Sequence, residues 1–134
     1  MTIRYKFSDK KNALSLVESA TRDMKFILTL VATEQSAATI IRNIYECFRM
    51  LGEALLTSKG IKSQDHIIPI QELLRLKVNT SRPIYLIDNL RKLRHSINYY
   101  GYSPKLGEAE DIIDLAQSCF GPLRAAVLKA INEK

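Results

Sequence analysis

The residue types best suited to chemistry lie within residues 81–102, SRPIYLIDNLRKLRHSINYYGY. Five of these side chains are suited to contact a ligand: Arg91, Arg94, His95, Asn98 and Tyr99. Guanidinium groups match phosphate oxygens, an amide adds hydrogen bonds, and aromatic rings stack on bases. The same residues also fit a structural interpretation, in which the arginines reach solvent, Asn98 bonds a neighbouring backbone group and the tyrosines pack.

This stretch has the signals of a helix of about five turns. Ser81 suits the N-cap and Pro83 the first turn, while Gly101 suits the left-handed residue that follows a helix. The spacing predicts one buried stripe, formed by Leu86, Leu90, Leu93, Ile97 and Tyr100. Arg94 lies at the edge of that stripe, where an unpaired buried charge costs several kcal/mol, so it needs a carboxylate, carbonyl, phosphate or water.

Other familiar catalytic patterns are absent from the sequence. It has no glycine-rich phosphate loop, HExxH, GxSxG or paired histidine and cysteine set, so we expect neither a metal site nor a cofactor. Cys47 and Cys119 occur in apolar helical contexts and are predicted to be buried free thiols. His66 follows the candidate caps Ser63 and Asp65 and is predicted to cap or pack.

The elements that must position these residues are all predicted to be helices. The first runs from near Ser8 to Val31, the second from 37 to 60, and a shorter one from 66 to 77. The last begins near Glu108 and should kink or divide at the Gly121-Pro122 pair. The fold class is therefore all-α, an up-and-down bundle of four or five helices.

Two features of the second helix predict its surroundings. Gly52 has no local justification inside a helix, so a close approach by a partner helix is expected. Its charged residues alternate in sign and predict an exposed salt-bridge ladder: Arg42, Glu46, Arg49 and Glu53.

Length, composition and charge indicate the number of domains, the kind of partner and the location of the protein. A chain of 134 residues with 46% hydrophobic content fits a single domain, 1–134, with residues 1–7 as a flexible or extended leader and no strand elsewhere. The 20 basic and 14 acidic residues give a net charge of +6, which permits an anionic partner. The start resembles no signal peptide and no apolar run is long enough to span a membrane, which predicts a cytoplasmic protein.

Two segments resemble the HEPN superfamily, the higher eukaryotes and prokaryotes nucleotide-binding domain. Residues 36–74 are similar to the second helix of that family, with its lysine-glycine end and the following histidine-bearing turn. The segment RKLRHSINYYGY resembles the motif of an arginine and a polar residue followed by histidine or tyrosine five positions after the arginine. In this mapping Arg94 takes the arginine position, His95 the polar position and Tyr99 the last one.

The resemblance implies a helical bundle that forms a homodimer, often paired with a small nucleotidyltransferase in a toxin–antitoxin-like system. In active members the arginine and histidine cleave RNA without metal across the dimer cleft. This chain resembles the branch with tyrosine at the last position. A phenol with a pKa near 10 is a poor base at neutral pH, which favours a binding module over a nuclease.

Three hypotheses follow. The first is a dimeric HEPN-like module that docks a nucleotidyltransferase and contacts nucleotide or RNA phosphate through Arg91 and Arg94, with His95 and Asn98 nearby. The second is a metal-independent endoribonuclease toxin that uses Arg94 with Tyr99, His95 or Asn98. The third is a structural adaptor whose polar cluster orders the dimer interface.

Overall fold

The computed structural model describes residues 3–5, 9–63, 65 and 67–133, and within these ranges the chain forms five helices and two short strands. In chain order these are β1 (Ile3–Tyr5), α1 (Lys10–Ile27), α2 (Ala37–Ser58), β2 (Ile61–Ser63), α3 (Ile67–Leu74), α4 (Leu86–Tyr100) and α5 (Leu106–Asn132). The all-α class is confirmed. None of the described helices is both long and apolar enough to cross a membrane.

Helix α2 is the centre of the bundle and contacts α1, α3, α4 and α5. Its apolar residues occur on nearly every side of the helix, so large side chains such as Tyr45, Phe48 and Leu51 are fully buried. Because buried residues occur on most of its sides, this one helix packs against four others. Cys47 on α2 and Cys119 on α5 are buried free thiols, as predicted.

Gly52 lies where α3 crosses α2. A Cβ atom added to Gly52 would lie 2.0 Å from the carbonyl oxygen of Pro69, a distance that no side chain tolerates. The predicted close approach is confirmed. Asp65 Oδ1 accepts hydrogen bonds from the backbone N–H groups of Ile67 and Ile68, each at 3.0 Å, and so caps the start of α3. His66 lies outside the described residues.

The two strands pair antiparallel, with Ile3 opposite Ser63 and Tyr5 opposite Ile61. Residues Ile3–Tyr5, within the predicted leader, form β1, and the expectation of no strand elsewhere is wrong for Ile61–Ser63. Three residues are too few to show an alternating pattern, and this strand exists because a distant segment pairs with it.

Several predicted helix ends are wrong by a few residues. The N-cap of α1 is Asp9, which accepts a hydrogen bond from Asn12 N at 3.0 Å, and not Ser8. The helix ends at Ile27, so Val31 lies in the following loop and is 80% exposed. Helix α3 ends at Leu74 and not at Lys77.

Helix α5 runs without interruption through Gly121 and Pro122, so of the predicted kink or division the division is wrong. A proline inside a helix costs about 3 kcal/mol. Burial on both sides of Pro122 offsets that cost, because Leu123 is fully buried and the Phe120 ring meets the Phe48 ring of α2 at 5.9 Å.

Helix α4, which carries the candidate site residues, begins at Leu86, five residues after the predicted cap. Ser81 and Arg82 bind α5 instead: the two hydroxyls of Ser81 and Ser118 are 2.7 Å apart, and Arg82 N donates to Ser118 Oγ at 2.9 Å. The predicted end is confirmed, since Gly101 adopts φ +65°. The predicted stripe is buried at Leu90 and Ile97 and half-buried at Leu86 and Leu93, but Tyr100 is 77% exposed.

Candidate functional site

Packing of α4 on α2 places Arg94 beside Tyr45. The Arg94 guanidinium carbon lies 5.3 Å from the centroid of the Tyr45 ring, the geometry of a cation–π contact. Burial raises the pKa of the Tyr45 phenol, while the nearby Arg94, Arg49 and Arg91 act in the opposite direction. Because the net shift is upward, Tyr45 is neutral at physiological pH and offers Arg94 an apolar ring and no charge.

Asn98, one turn after Arg94, is the second group that orients this guanidinium. Its carboxamide lies between Arg94 and Arg42 of α2. With its oxygen toward Arg94 it accepts hydrogen bonds from Nε at 3.1 Å and Nη2 at 3.2 Å, whereas toward Arg42 it accepts one bond, from Nη1, at 3.4 Å. We assign the first orientation because it makes two shorter bonds.

Arg94 therefore differs from its neighbour Arg91. Arg91 Nε donates to Asp88 Oδ1 at 2.8 Å, and Lys92 Nζ lies 3.6 Å from the other oxygen. The hydrogen bond from Arg91 is the main reason that the pKa of Asp88 is lowered. Among the described residues no carboxylate lies within 4 Å of Arg94, so its charge is not neutralised by an ion pair.

Arg42 is the site residue that the sequence pattern misassigned. Within the predicted ladder Arg49 pairs with Glu46 and with Glu53, at 3.0 Å and 3.5 Å, and is largely buried. In the part of the chain that the structure describes, Arg42 forms no ion pair, and in the assigned orientation its Nη1 lies 3.4 Å from the amide nitrogen of Asn98, which accepts no hydrogen bond from it. We call Arg42 and Arg94 the arginine pair, two guanidinium groups on either side of one amide.

A cluster of exposed rings lies on α4, beside the side of the helix that carries Arg94 and Asn98. His95 and Tyr99 have ring centroids 4.6 Å apart, and His95 and Tyr100 have centroids 5.6 Å apart in an edge-to-face arrangement. Tyr99 is 64% exposed and Tyr100 77%. We call His95, Tyr99 and Tyr100 the aromatic cluster. Tyr100 was expected in the buried stripe, and its place in this exposed cluster shows that this part of the prediction is wrong.

The helical period explains why these two groups stay distinct. Arg94 and Asn98 are four residues apart and share one row, as do His95 and Tyr99 on the adjacent row. The five residues singled out in the sequence therefore lie together on α4, but in two rows. Arg91 is held to Asp88 one turn before them.

The site can bind an anion through the arginine pair and an aromatic or base-like group through the aromatic cluster. Among the described residues no group of three or more His, Cys, Asp or Glu side chains is placed to hold a metal ion. Comparisons with protein-family models, with curated proteins and with solved structures gave no match. The resemblance to the HEPN superfamily therefore stays a prediction.

Proposed function

We propose that this protein is a helical module, HEPN-like in arrangement, that binds single-stranded RNA or a nucleotide through its phosphate. The observation that carries the proposal is the environment of Arg94. Its guanidinium is oriented by a neutral ring and a neutral amide and faces no carboxylate within 4 Å among the described residues. A phosphate would supply the counter-charge.

The arginine pair provides a second cation for the same anion. Arg42 and Arg94 approach opposite ends of the Asn98 amide. Charge-assisted hydrogen bonds to phosphate are the strongest of the common kinds, and a guanidinium can donate two of them at once. Arg91 contributes less, because a phosphate must compete with Asp88 for it.

The aromatic cluster favours a ligand with bases over inorganic phosphate. Its rings are exposed and lie on the helix row next to Arg94. Stacking of a base on an aromatic side chain contributes about 1–3 kcal/mol and tolerates any base. The combination of exposed rings with arginines that have no carboxylate partner among the described residues favours a binder of single-stranded RNA with little sequence preference.

Fluorescence anisotropy with a labelled single-stranded oligoribonucleotide, over a series of salt concentrations, tests this assignment. Arg94→Gln should weaken binding about tenfold and reduce the slope of log K against log salt by roughly 0.7, the loss of one phosphate contact. Tyr99→Ala should weaken binding and leave that slope unchanged, since stacking releases no counterion. The control is Arg75→Gln, which removes an exposed arginine paired with Glu72 at 3.6 Å.

The proposal is refuted if Arg94→Gln and Arg75→Gln bind RNA with the same affinity. If Arg94→Gln and Arg75→Gln lose the same small amount of affinity, binding depends on net charge alone. Thermal unfolding of each variant confirms that the comparison is between folded proteins.

A second candidate function, a metal-independent endoribonuclease, is favoured by one observation. The imidazole of His95, one residue after Arg94 on α4, lies 4.6 Å from the Tyr99 ring. An imidazole can exchange protons near neutral pH, and a guanidinium can stabilise the negative charge of the transition state. RNA cleavage in EDTA that is lost in both Arg94→Ala and His95→Ala would establish this activity, and no cleavage by the folded wild type would leave the binding module.

The resemblance to the HEPN superfamily also predicts two protein partners, a second copy of this chain and a small nucleotidyltransferase. Light scattering at micromolar concentration measures the first, and a monomer mass would refute the dimer. Co-expression with a candidate nucleotidyltransferase, followed by purification through a tag on either chain, tests the second.

A further inference from the structure

A groove of about 510 Å³ lies between α1 and α5, lined by residues that the proposed function does not use. Its α1 side is one helical stripe, with residues at three- and four-residue steps from Leu14 to Lys25, roughly 16 Å in length. Leu14, Val17 and Leu128 line one part of this stripe. Leu14 and Leu128 are half-buried, so this part of the groove offers apolar surface.

The other part of the groove is basic. Arg22 and Lys25 from α1 and Arg124 from α5 line it. Among the described residues no carboxylate lies within 4 Å of any of the three, although eight ion pairs form elsewhere in that part of the chain. Three cations that have no carboxylate partner within the described part of the chain, gathered at one end of the groove, form an anion-binding arrangement.

Arg124 is held in place before any ligand arrives. Its Nε donates to Thr21 Oγ1 at 2.9 Å, and that hydroxyl donates to the backbone oxygen of Val17 at 2.7 Å. The proton of the Thr21 hydroxyl is therefore used in a hydrogen bond within α1, and the lone pairs of its oxygen face Arg124. This leaves the two terminal nitrogens of Arg124 for a ligand, at little further cost in side-chain entropy.

The distribution of charge identifies the kind of ligand. The cations are gathered at one end, the apolar side chains lie at the other, and Glu18 lies on the rim between them. A polyanion or an acidic helix would bring further negative charge against Glu18. A ligand with one anionic head and one apolar chain meets no such repulsion.

We propose that the groove between α1 and α5 binds a free single-chain carboxylate amphiphile, such as a medium-chain fatty acid. The carboxylate binds between Arg22, Lys25 and Arg124, and the chain lies along Leu14, Val17 and Leu128. This site is separate from the arginine pair and does not depend on RNA binding.

Calorimetric titration with decanoate tests the proposal, with methyl NMR spectra to locate the chain. Decanoate should bind at least tenfold more tightly than decanol, which lacks the charge, and than acetate, which lacks the chain. Arg124→Gln and Lys25→Gln should each weaken decanoate binding about tenfold, the loss of a charge-assisted hydrogen bond. Lys129→Gln, an exposed lysine of α5 outside the groove, is the matched control and should bind as the wild type does.

Three results would overturn this inference. The first is equal binding of decanol and decanoate. The second is an unchanged affinity in Lys25→Gln, whose side chain forms no ion pair or hydrogen bond in the described structure, so that misfolding is not at issue. The third is binding to vesicles of anionic phospholipid without binding to decanoate. That result would show that the groove recognises the head group of a membrane lipid and not a free carboxylate.

Discussion

Replacing Gly52 by alanine would place a methyl group inside the backbone of α3. An ideal Cβ at this position lies 2.0 Å from the Pro69 carbonyl oxygen and 2.6 Å from its carbonyl carbon, well inside the 3.0 Å that real Cβ atoms keep. Both neighbours are backbone atoms, so no side-chain rotation can relieve the contact. Helix α3 must move away from α2.

Two opposing effects determine how much Gly52→Ala changes the free energy of unfolding. Alanine is favoured over glycine in a helix interior by about 1 kcal/mol. Overpacking a filled core costs typically 1–3 kcal/mol and occasionally more. Movement of α3 also disturbs the buried Ile70 and Leu73, so the upper part of that range applies. We expect a net loss of about 2 kcal/mol in the free energy of unfolding, or roughly 5–10 °C in Tm for a domain of this size.

Urea and thermal unfolding followed by circular dichroism provide the measurement. Gly121→Ala is the matched control, because Gly121 is also inside a helix but a Cβ there meets nothing within 4 Å. That control should gain up to about 1 kcal/mol. The reasoning is refuted if Gly52→Ala is as stable as the wild type, or if both variants shift in the same direction by similar amounts.

Three further predictions concern stability and titration. Asp65→Ala removes the acceptor for two N–H groups at the start of α3 and should cost about 1 kcal/mol in urea unfolding; no change would show that the cap is dispensable. Cys47 and Cys119 should resist thiol reagents in the native state and react on unfolding; for Cys47, burial raises the pKa to about 12, so its contribution to stability is present below the ordinary thiol pKa and is lost as pH rises above it. Asp88 has a lowered pKa, so its pairing with Arg91 stabilises the fold above the ordinary Asp pKa and is lost as pH falls through the lower folded value; the acid branch of the unfolding curve should flatten in Asp88→Asn, and an identical curve would contradict this.

Local chemistry made several features predictable. Gly101 was expected in a left-handed conformation because it follows a helical run, and it has φ +65°. Gly52 was expected at a close helix contact because nothing local justified a glycine there, and Pro69 makes that contact. Asp65 was one of two candidate caps before α3.

The composition of the candidate site was predictable in part. The residues of α4 that carry polar and aromatic groups were evident from their types, but Arg42 was not, because its spacing from Glu46 suggested an ordinary surface ion pair. Its position beside Asn98 depends on how α2 and α4 cross. Whether Arg94 is neutralised is likewise a matter of which carboxylates the fold brings near it.

The sequence by itself determined the helical class, the burial of both cysteines and most of the helices, because hydrophobic period, caps and glycine conformation act within a few residues. Tertiary structure decided the rest. It paired Ile61–Ser63 with Ile3–Tyr5, kept α5 continuous through Pro122, and left Tyr100 exposed. The first two depend on contacts between residues far apart in the chain, whose free energies exceed local preferences of about 1–3 kcal/mol. The third depends on where the other helices cover α4.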